Sequence, residues 1–171
     1  MTVAIIWARA IVGVNAPLVS VETHLSSGLP AFNLVGLPET AVRESKERVR
    51  SAIINSGYEF PTRRITVNLA PGDLPKHGTR FDLAIALGIL AASHQVPMSL
   101  LVHTECIAEL ALTGALRPVR GLLPAALAAR KEQHAIIAAV GDDLEAALVS
   151  DIEVYAGNSL DSVCRHLNGL A

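Results

Sequence analysis

The segment Thr66–Asp82, TVNLAPGDLPKHGTRFD, gathers the side chains with the most chemical potential in this chain. Thr79 offers a hydroxyl, His77 a titratable ring, and Lys76 and Arg80 two cations. Thr66–Ala70 alternates as a strand does. Pro71, Gly72, Pro75 and Gly78 then mark a loop, and Phe81–Ala92 reads as an apolar helix. Many α/β proteins mount chemistry on such a strand, loop and buried helix. Nucleophilic catalysis needs a hydroxyl or thiol with a base beside it. No serine occurs between Ser56 and Ser93. The layout without the reagent points to binding or assembly. His77 reads as a solvated loop histidine.

Other chemistries find less support. A phosphate-cradling loop needs Gly-Lys followed by Ser or Thr, and no Gly-Lys dipeptide occurs. A dinucleotide fingerprint and a G-x-S-x-G elbow are also missing. The histidines at 24, 77, 94, 103, 134 and 166 include no H-x-x-x-H pair, so no metal is expected. Asp142 and Asp143 sit at a helix start, where capping accounts for them. Cys106 and Cys164 form no C-x-x-C and read as buried thiols in a reducing cytoplasm.

The elements that must position these residues follow from periodicity. Val3–Val12 and Val19–Leu25 read as strands joined through Asn15-Ala16-Pro17 into a hairpin. Ala31–Val35 is a third strand. Gly36-Leu37-Pro38-Glu39 opens a helix whose inward stripe is Val42, Ser45, Val49, Ala52 and Ile53. Asn55-Ser56-Gly57 ends it. Arg64–Ala70 is a strand, and Phe81–Ser93 the apolar helix. Ile107–Leu112 is expected as a strand, Gly114–Gly121 as a turn, and Leu122–Arg130 as a helix. Ala135–Val140 and Ile152–Ala156 are further strands. Asp142–Val149, with Asp142 as its cap, and Ser159–Leu167 are further helices. Early strands followed by strand–helix alternation predict one α/β (α+β) domain with a mixed sheet, covering 1–171.

Bulk properties agree. A hydrophobic fraction of 51% can fill a sizeable core, and the 4% of aromatics leaves that core to Ala, Val, Ile and Leu. The net charge of −2 is unevenly spread. Residues 1–80 carry nine Lys/Arg against six Asp/Glu, and residues 81–171 carry five against ten. The first half therefore offers a basic face. Met1–Val14 is split by Arg9 and lacks a cleavage site, so no leader is expected. The uncharged run Leu83–Thr104 is broken by Ser93, His94, Gln95 and Pro97, which favours a core helix over a membrane span. The chain stops just after a helix, as a domain does when cut from a longer protein.

Two motifs give a resemblance. Pro75-Lys76-His77-Gly78-Thr79-Arg80-Phe81-Asp82 is similar to the Ser loop of Lon-type proteases, and Leu112–Ala125, LTGALRPVRGLLPA, to their Lys-bearing stretch. In that register Arg80 stands at the serine position, and Leu123 and Ala125 at the two lysine positions. Thr79 is a slipped alternative nucleophile, but the nearest later lysine, Lys131, lies at least a helical turn beyond. More extensively, GVNAP (13–17), GLP (28–30), residues 35–61, residues 65–87 and ELALTGALRPV (109–119) resemble the N-terminal domain of the ComM/YifB family, also called magnesium-chelatase-like.

That resemblance implies a Lon-protease-like (ribosomal protein S5 domain 2-like) fold followed, in the parent protein, by an AAA+ module using ATP and Mg. The implied parent is a cytoplasmic hexameric DNA helicase that promotes branch migration during natural transformation. This chain would then be a non-catalytic part that needs no cofactor. It would support ring assembly and hold single-stranded or branched DNA, with no membrane role. Alternatives are a pure oligomerisation scaffold and a degenerate peptidase. The DNA-binding candidates are Arg43, Lys46, Arg50, Lys76 and Arg80, with Arg48, Arg63 and Arg64 as further cations. Glu44 and Glu47 interleave with the helix cations and would pair with them on an ordinary solvated face. Trp7, Tyr58, Tyr155 and the three phenylalanines are not expected to cluster, which leaves DNA contact to phosphates.

Overall fold

A computed structural model describes residues 2–170. In chain order the strands are β1 (Thr2–Arg9), β2 (Leu18–Ser26), β3 (Ala31–Val35), β4 (Arg64–Ala70), β5 (Thr104–Ile107), β6 (Glu109–Leu110), β7 (Leu116–Arg117), β8 (Ala135–Ala139) and β9 (Val154–Gly157). The helices are α1 (Thr40–Arg43), α2 (Ser45–Asn55), α3 (Asp82–Ala92), α4 (Leu122–Lys131), α5 (Asp143–Ala146) and α6 (Leu160–Leu167). Seven strands form one mixed sheet in the order β3-β4-β2-β1-β5-β8-β9, and β6 pairs with β7 in a small ribbon. The expected α/β class is therefore the observed one.

The sheet has two halves of different character. β1–β2 and β2–β4 are antiparallel, and β2 alternates strictly between buried and half-buried residues. Helix α3 covers this half on one face only, meeting β1 and β2. Alternate side chains then face outward, and Val3 and Ile5 of β1 remain half exposed. β1, β5, β8 and β9 run parallel, with both faces covered around β8. Ile137 and Ala139 join the core beneath α3, while Ile136 and Ala138 join a second core with α4 and α5. A period of two residues sends neighbours in one strand into different cores.

Every residue of α3 is buried, as its apolar composition requires. Its one carboxylate, Asp82, accepts from Ser45 Oγ at 2.6 Å, Arg48 Nε at 2.7 Å and the Leu110 amide at 3.1 Å. These bonds tie α2, α3 and β6 together at the edge of the core. The stripe expected on a single helix, Val42 through Ile53, is buried as read, but that helix is divided at Glu44: Val42 lies on α1, and Ser45, Val49, Ala52 and Ile53 lie on α2.

Several boundaries differ from expectation. The strand placed at Ile107–Leu112 lies earlier, at Thr104–Ile107. Glu105 is fully buried within this strand. Arg9 makes this possible by bonding both Glu105 oxygens, at 2.8 and 2.7 Å. The chain then leaves the sheet at Ala108, whose carbonyl accepts from the Leu83 amide at 3.2 Å. The Gly114–Gly121 turn contains β7. Asp142 does not cap α5; its Oδ2 accepts instead from the Val119 amide at 2.9 Å. By contrast, Ser159 caps α6 in a reciprocal capping box with Ser162. No helix among the described residues is long and apolar enough to cross a membrane.

Candidate functional site

The loop before α3 and the approach to α4 meet across a cleft of about 730 Å³, lined among others by Ile11, His77, Thr79, Arg80 and Gly121. The turn into α4 is made by Gly121 at φ 79°. A Cβ there would lie 3.0 Å from the Ile11 side chain, so glycine meets both the backbone and the packing requirement. The two segments similar to the motifs of an active peptidase are thus neighbours. At the positions that align with the peptidase serine and lysines stand Arg80, Leu123 and Ala125.

Arg80 is only 8% exposed. Its Nε donates to the Arg9 carbonyl at 2.7 Å and its Nη1 to the Arg120 carbonyl at 2.7 Å. Burial lowers the pKa of the guanidinium from its ordinary value, while nearby Asp142 opposes that shift. The side chain is a strut between the end of β1 and the turn into α4. Its Nη2 is buried without a partner among the described residues. The expectation that Arg80 contacts DNA is therefore corrected: the side chain is buried, with Nε and Nη1 committed to backbone carbonyls.

Lys76 is corrected in the same way. It is fully buried, and its Nζ donates to the carbonyls of Gly36, at 2.7 Å, and Pro71. Its backbone bridges to the α1 approach through Lys76 N to Leu37 O at 3.1 Å and Glu39 N to Lys76 O at 3.0 Å. Burial lowers the ammonium pKa, so the loop lysine acts as an internal clamp. His77 remains on the surface, 3.0 Å from Glu39. Thr79 is half-buried. Leu123 and Ala125 carry no nitrogen into the cleft, and Lys131 lies at the far end of α4. A Ser–Lys-type pair is thus missing among the cleft residues.

The cations on α1 and α2 are arranged otherwise. Arg43 and Arg50 are exposed and Lys46 is half-exposed. Lys46 and Arg50, four residues apart, share one side of α2, and Arg43 closes α1 just before them. Arg43 bonds only the Pro38 carbonyl, at 3.1 Å. Among the described residues, none of the three forms a salt bridge, and neither do Arg63 or Arg64. The interleaved Glu44 and Glu47 do not neutralise them by direct pairing. Arg48 is the exception, being held by Asp82.

The expectation of scattered aromatics is corrected too. Phe32 of β3 and Phe60 lie with ring centroids 5.8 Å apart, and the Arg50 guanidinium sits 5.2 Å from the Phe60 centroid. β3 runs parallel to β4, with Phe32 opposite Ile65. That pairing brings Phe32 to the segment leading into β4, where Phe60 and Arg63 stand. No linear spacing announces such a contact.

Comparison with known proteins agrees with the motifs. The family described as subunit ChlI of Mg-chelatase matches residues 21–141. Competence protein ComM of Haemophilus influenzae is 55% identical over 169 residues, 99% of this chain and 33% of that protein. YifB of Salmonella typhimurium and YifB of Escherichia coli are 51% and 50% identical over the same length. The chain spans about a third of the length of these curated relatives.

Proposed function

Since the chain belongs to the ComM/YifB family of magnesium-chelatase-like proteins, we propose that it is a non-catalytic, DNA-contacting domain of a larger ATP-driven motor. The parent activity consistent with the family resemblance is a hexameric AAA+ helicase that promotes branch migration in recombination during natural transformation. ATP and Mg would be bound by the remainder of that protein. One similar protein is named for competence, which supports a role in transformation.

The observation supporting DNA contact is the unneutralised row Arg43, Lys46 and Arg50, with Arg63 and Arg64 near the start of β4. Exposed arginines and lysines bind phosphates without reading sequence, and each contact releases counterions. Fluorescence anisotropy with a labelled single-stranded oligonucleotide tests this. Replacing Arg43, Lys46 and Arg50 together with Ala should weaken binding and flatten its salt dependence by about 0.7 per lost contact. Unchanged affinity would make the row a solvated surface.

An assembly role has its own support. Leu144 and Leu148 on and just after α5 are 75% and 76% exposed, one helical turn apart, as in an apolar contact with a partner. Sedimentation of the protein with both leucines changed to Ser tests that role. Unchanged self-association would remove these leucines from any ring contact.

A further inference from the structure

We propose that the notch between Arg50, Phe60, Phe32 and Arg63 receives one unpaired base of single-stranded nucleic acid, which stacks on the Arg50 guanidinium plane while Arg63 and Arg64 hold the flanking phosphates. This rests on the DNA-contacting reading above and assigns a base-stacking subsite to it.

The notch has a volume of about 280 Å³ and lies beside β3, the outermost strand of the sheet. Phe60 is partly exposed and packs through the rest of its surface on the main core. Arg50 covers its ring at 5.2 Å. The guanidinium is thereby backed by an aromatic ring, and the Arg50 side chain is exposed to solvent. Planar guanidinium groups stack on nucleobases, and aromatic or arginine platforms take any base. Phe32, with its ring 5.8 Å from Phe60, closes the apolar side of the notch. Arg63 lines the same notch and is exposed, as is the adjacent Arg64, and neither is engaged by a carboxylate among the described residues.

The arrangement differs from a bare phosphate-binding face in one respect. Phosphates require charge but no aromatic backing. Here the cation at the C-terminal end of the row is also the one laid over a ring. Arg43 and Lys46 have no such support. A strand crossing the row would therefore run phosphate-first along α1 and α2 and place a base only at the Arg50 end. Duplex DNA has no unpaired base to supply, so its phosphates engage the row without the stack.

The test uses the complete chain and a short thymidine-rich oligonucleotide carrying a single 2-aminopurine, whose fluorescence falls on stacking. Wild type should quench the probe on binding, whereas the same probe base-paired in a duplex should show no further quenching. Arg50→Lys keeps the charge but loses the plane. It should weaken binding about tenfold and abolish quenching, with the salt slope unchanged. Phe60→Leu should show the same pattern. Arg63→Ala should instead reduce the salt slope by about 0.7. If Phe60→Leu lowers the melting temperature, the surface change Arg50→Lys decides alone. Full quenching and affinity in Arg50→Lys, with Arg63→Ala still weakened, would overturn the stacking subsite and leave phosphate contact standing. No binding by wild type at low salt would overturn both.

Discussion

Arg80 donates from Nη1 to the carbonyl of Arg120 at 2.7 Å, so a guanidinium bridges the two segments that resemble the halves of a peptidase site. A second bond, to the Arg9 carbonyl, extends this bridge to the end of β1. The cleft walls are held together by the very residue that stands in the nucleophile position.

Restoring a serine at that position should therefore cost stability without yielding an enzyme. Arg80→Ser leaves two carbonyls without their charged donor, and hydrogen bonds to charged groups contribute about 1.5–3 kcal/mol each. A loss of about 3 kcal/mol is expected, since release of the buried cation offsets part of the loss. Chemical denaturation measures it, and no casein cleavage is expected of either wild type or the variant. Peptidase activity in Arg80→Ser would show that the cleft retains a working base.

The Arg9–Glu105 pair predicts a larger effect. Both side chains are almost completely buried, and His134 Nδ1 lies 2.9 Å from the same carboxylate. Glu105→Ala would strand Arg9 inside the sheet. Removing one partner of a buried pair typically costs about 3–5 kcal/mol. Thermal unfolding should show a correspondingly depressed midpoint, whereas Arg9→Met with Glu105→Leu should recover much of the loss.

Helix α3 packs on β2 so closely that Gly88 has no room for a side chain. A Cβ there would lie 2.4 Å from Thr23 Oγ1 and 3.3 Å from Thr23 Cβ. Gly88→Ala would favour an isolated helix by about 1 kcal/mol, yet overpacking should make the protein less stable by about 1–3 kcal/mol. Adding Thr23→Ala removes the obstructing atom and should restore stability. Urea unfolding of the single and double variants reports this coupling.

Tyr58 gives a pH-dependent prediction. Its hydroxyl donates to Asp161 Oδ1 at 2.9 Å. This bond, with help from Arg165, lowers the Asp161 pKa from its ordinary value. A lowered carboxylate pKa stabilises the fold above the unfolded pKa, and that contribution is lost as pH falls through the folded value. Wild type should exceed Tyr58→Phe by about 1 kcal/mol at neutral pH, discounted for the exposure of Asp161. The difference should shrink below about pH 4. A gap that stays constant down to pH 2 would show that it comes from packing.

Much of the architecture was legible in local patterns. Val19, Val21, Thr23 and Leu25 alternate, and β2 buries that set. Val42 through Ile53 repeat at helical spacing, and they face the core. A helix as apolar as α3 had to be enclosed. Such features depend on neighbours within a few residues, whose geometry is set by strand or helix period alone. The absence of serine in the loop before α3, and of lysine at positions 123 and 125, is likewise a property of the chain itself.

Charge placement was decided elsewhere. Lys76, Arg80 and Arg50 are all cations, and nothing local separates them. Burial of Lys76 depends on carbonyls of Gly36 and Pro71, and that of Arg80 on carbonyls of Arg9 and Arg120. Arg50 stays exposed, and the ring beside it, Phe60, comes from beyond the end of α2. Glu105 can be buried in β5 because β1 lies beside it and supplies Arg9. Desolvating a charge is costly unless a partner compensates, and such partners are chosen by long-range strand pairing. Sequence patterns thus determined the elements and the missing reagents. The assembled sheet determined which cations are struts and which face the solvent.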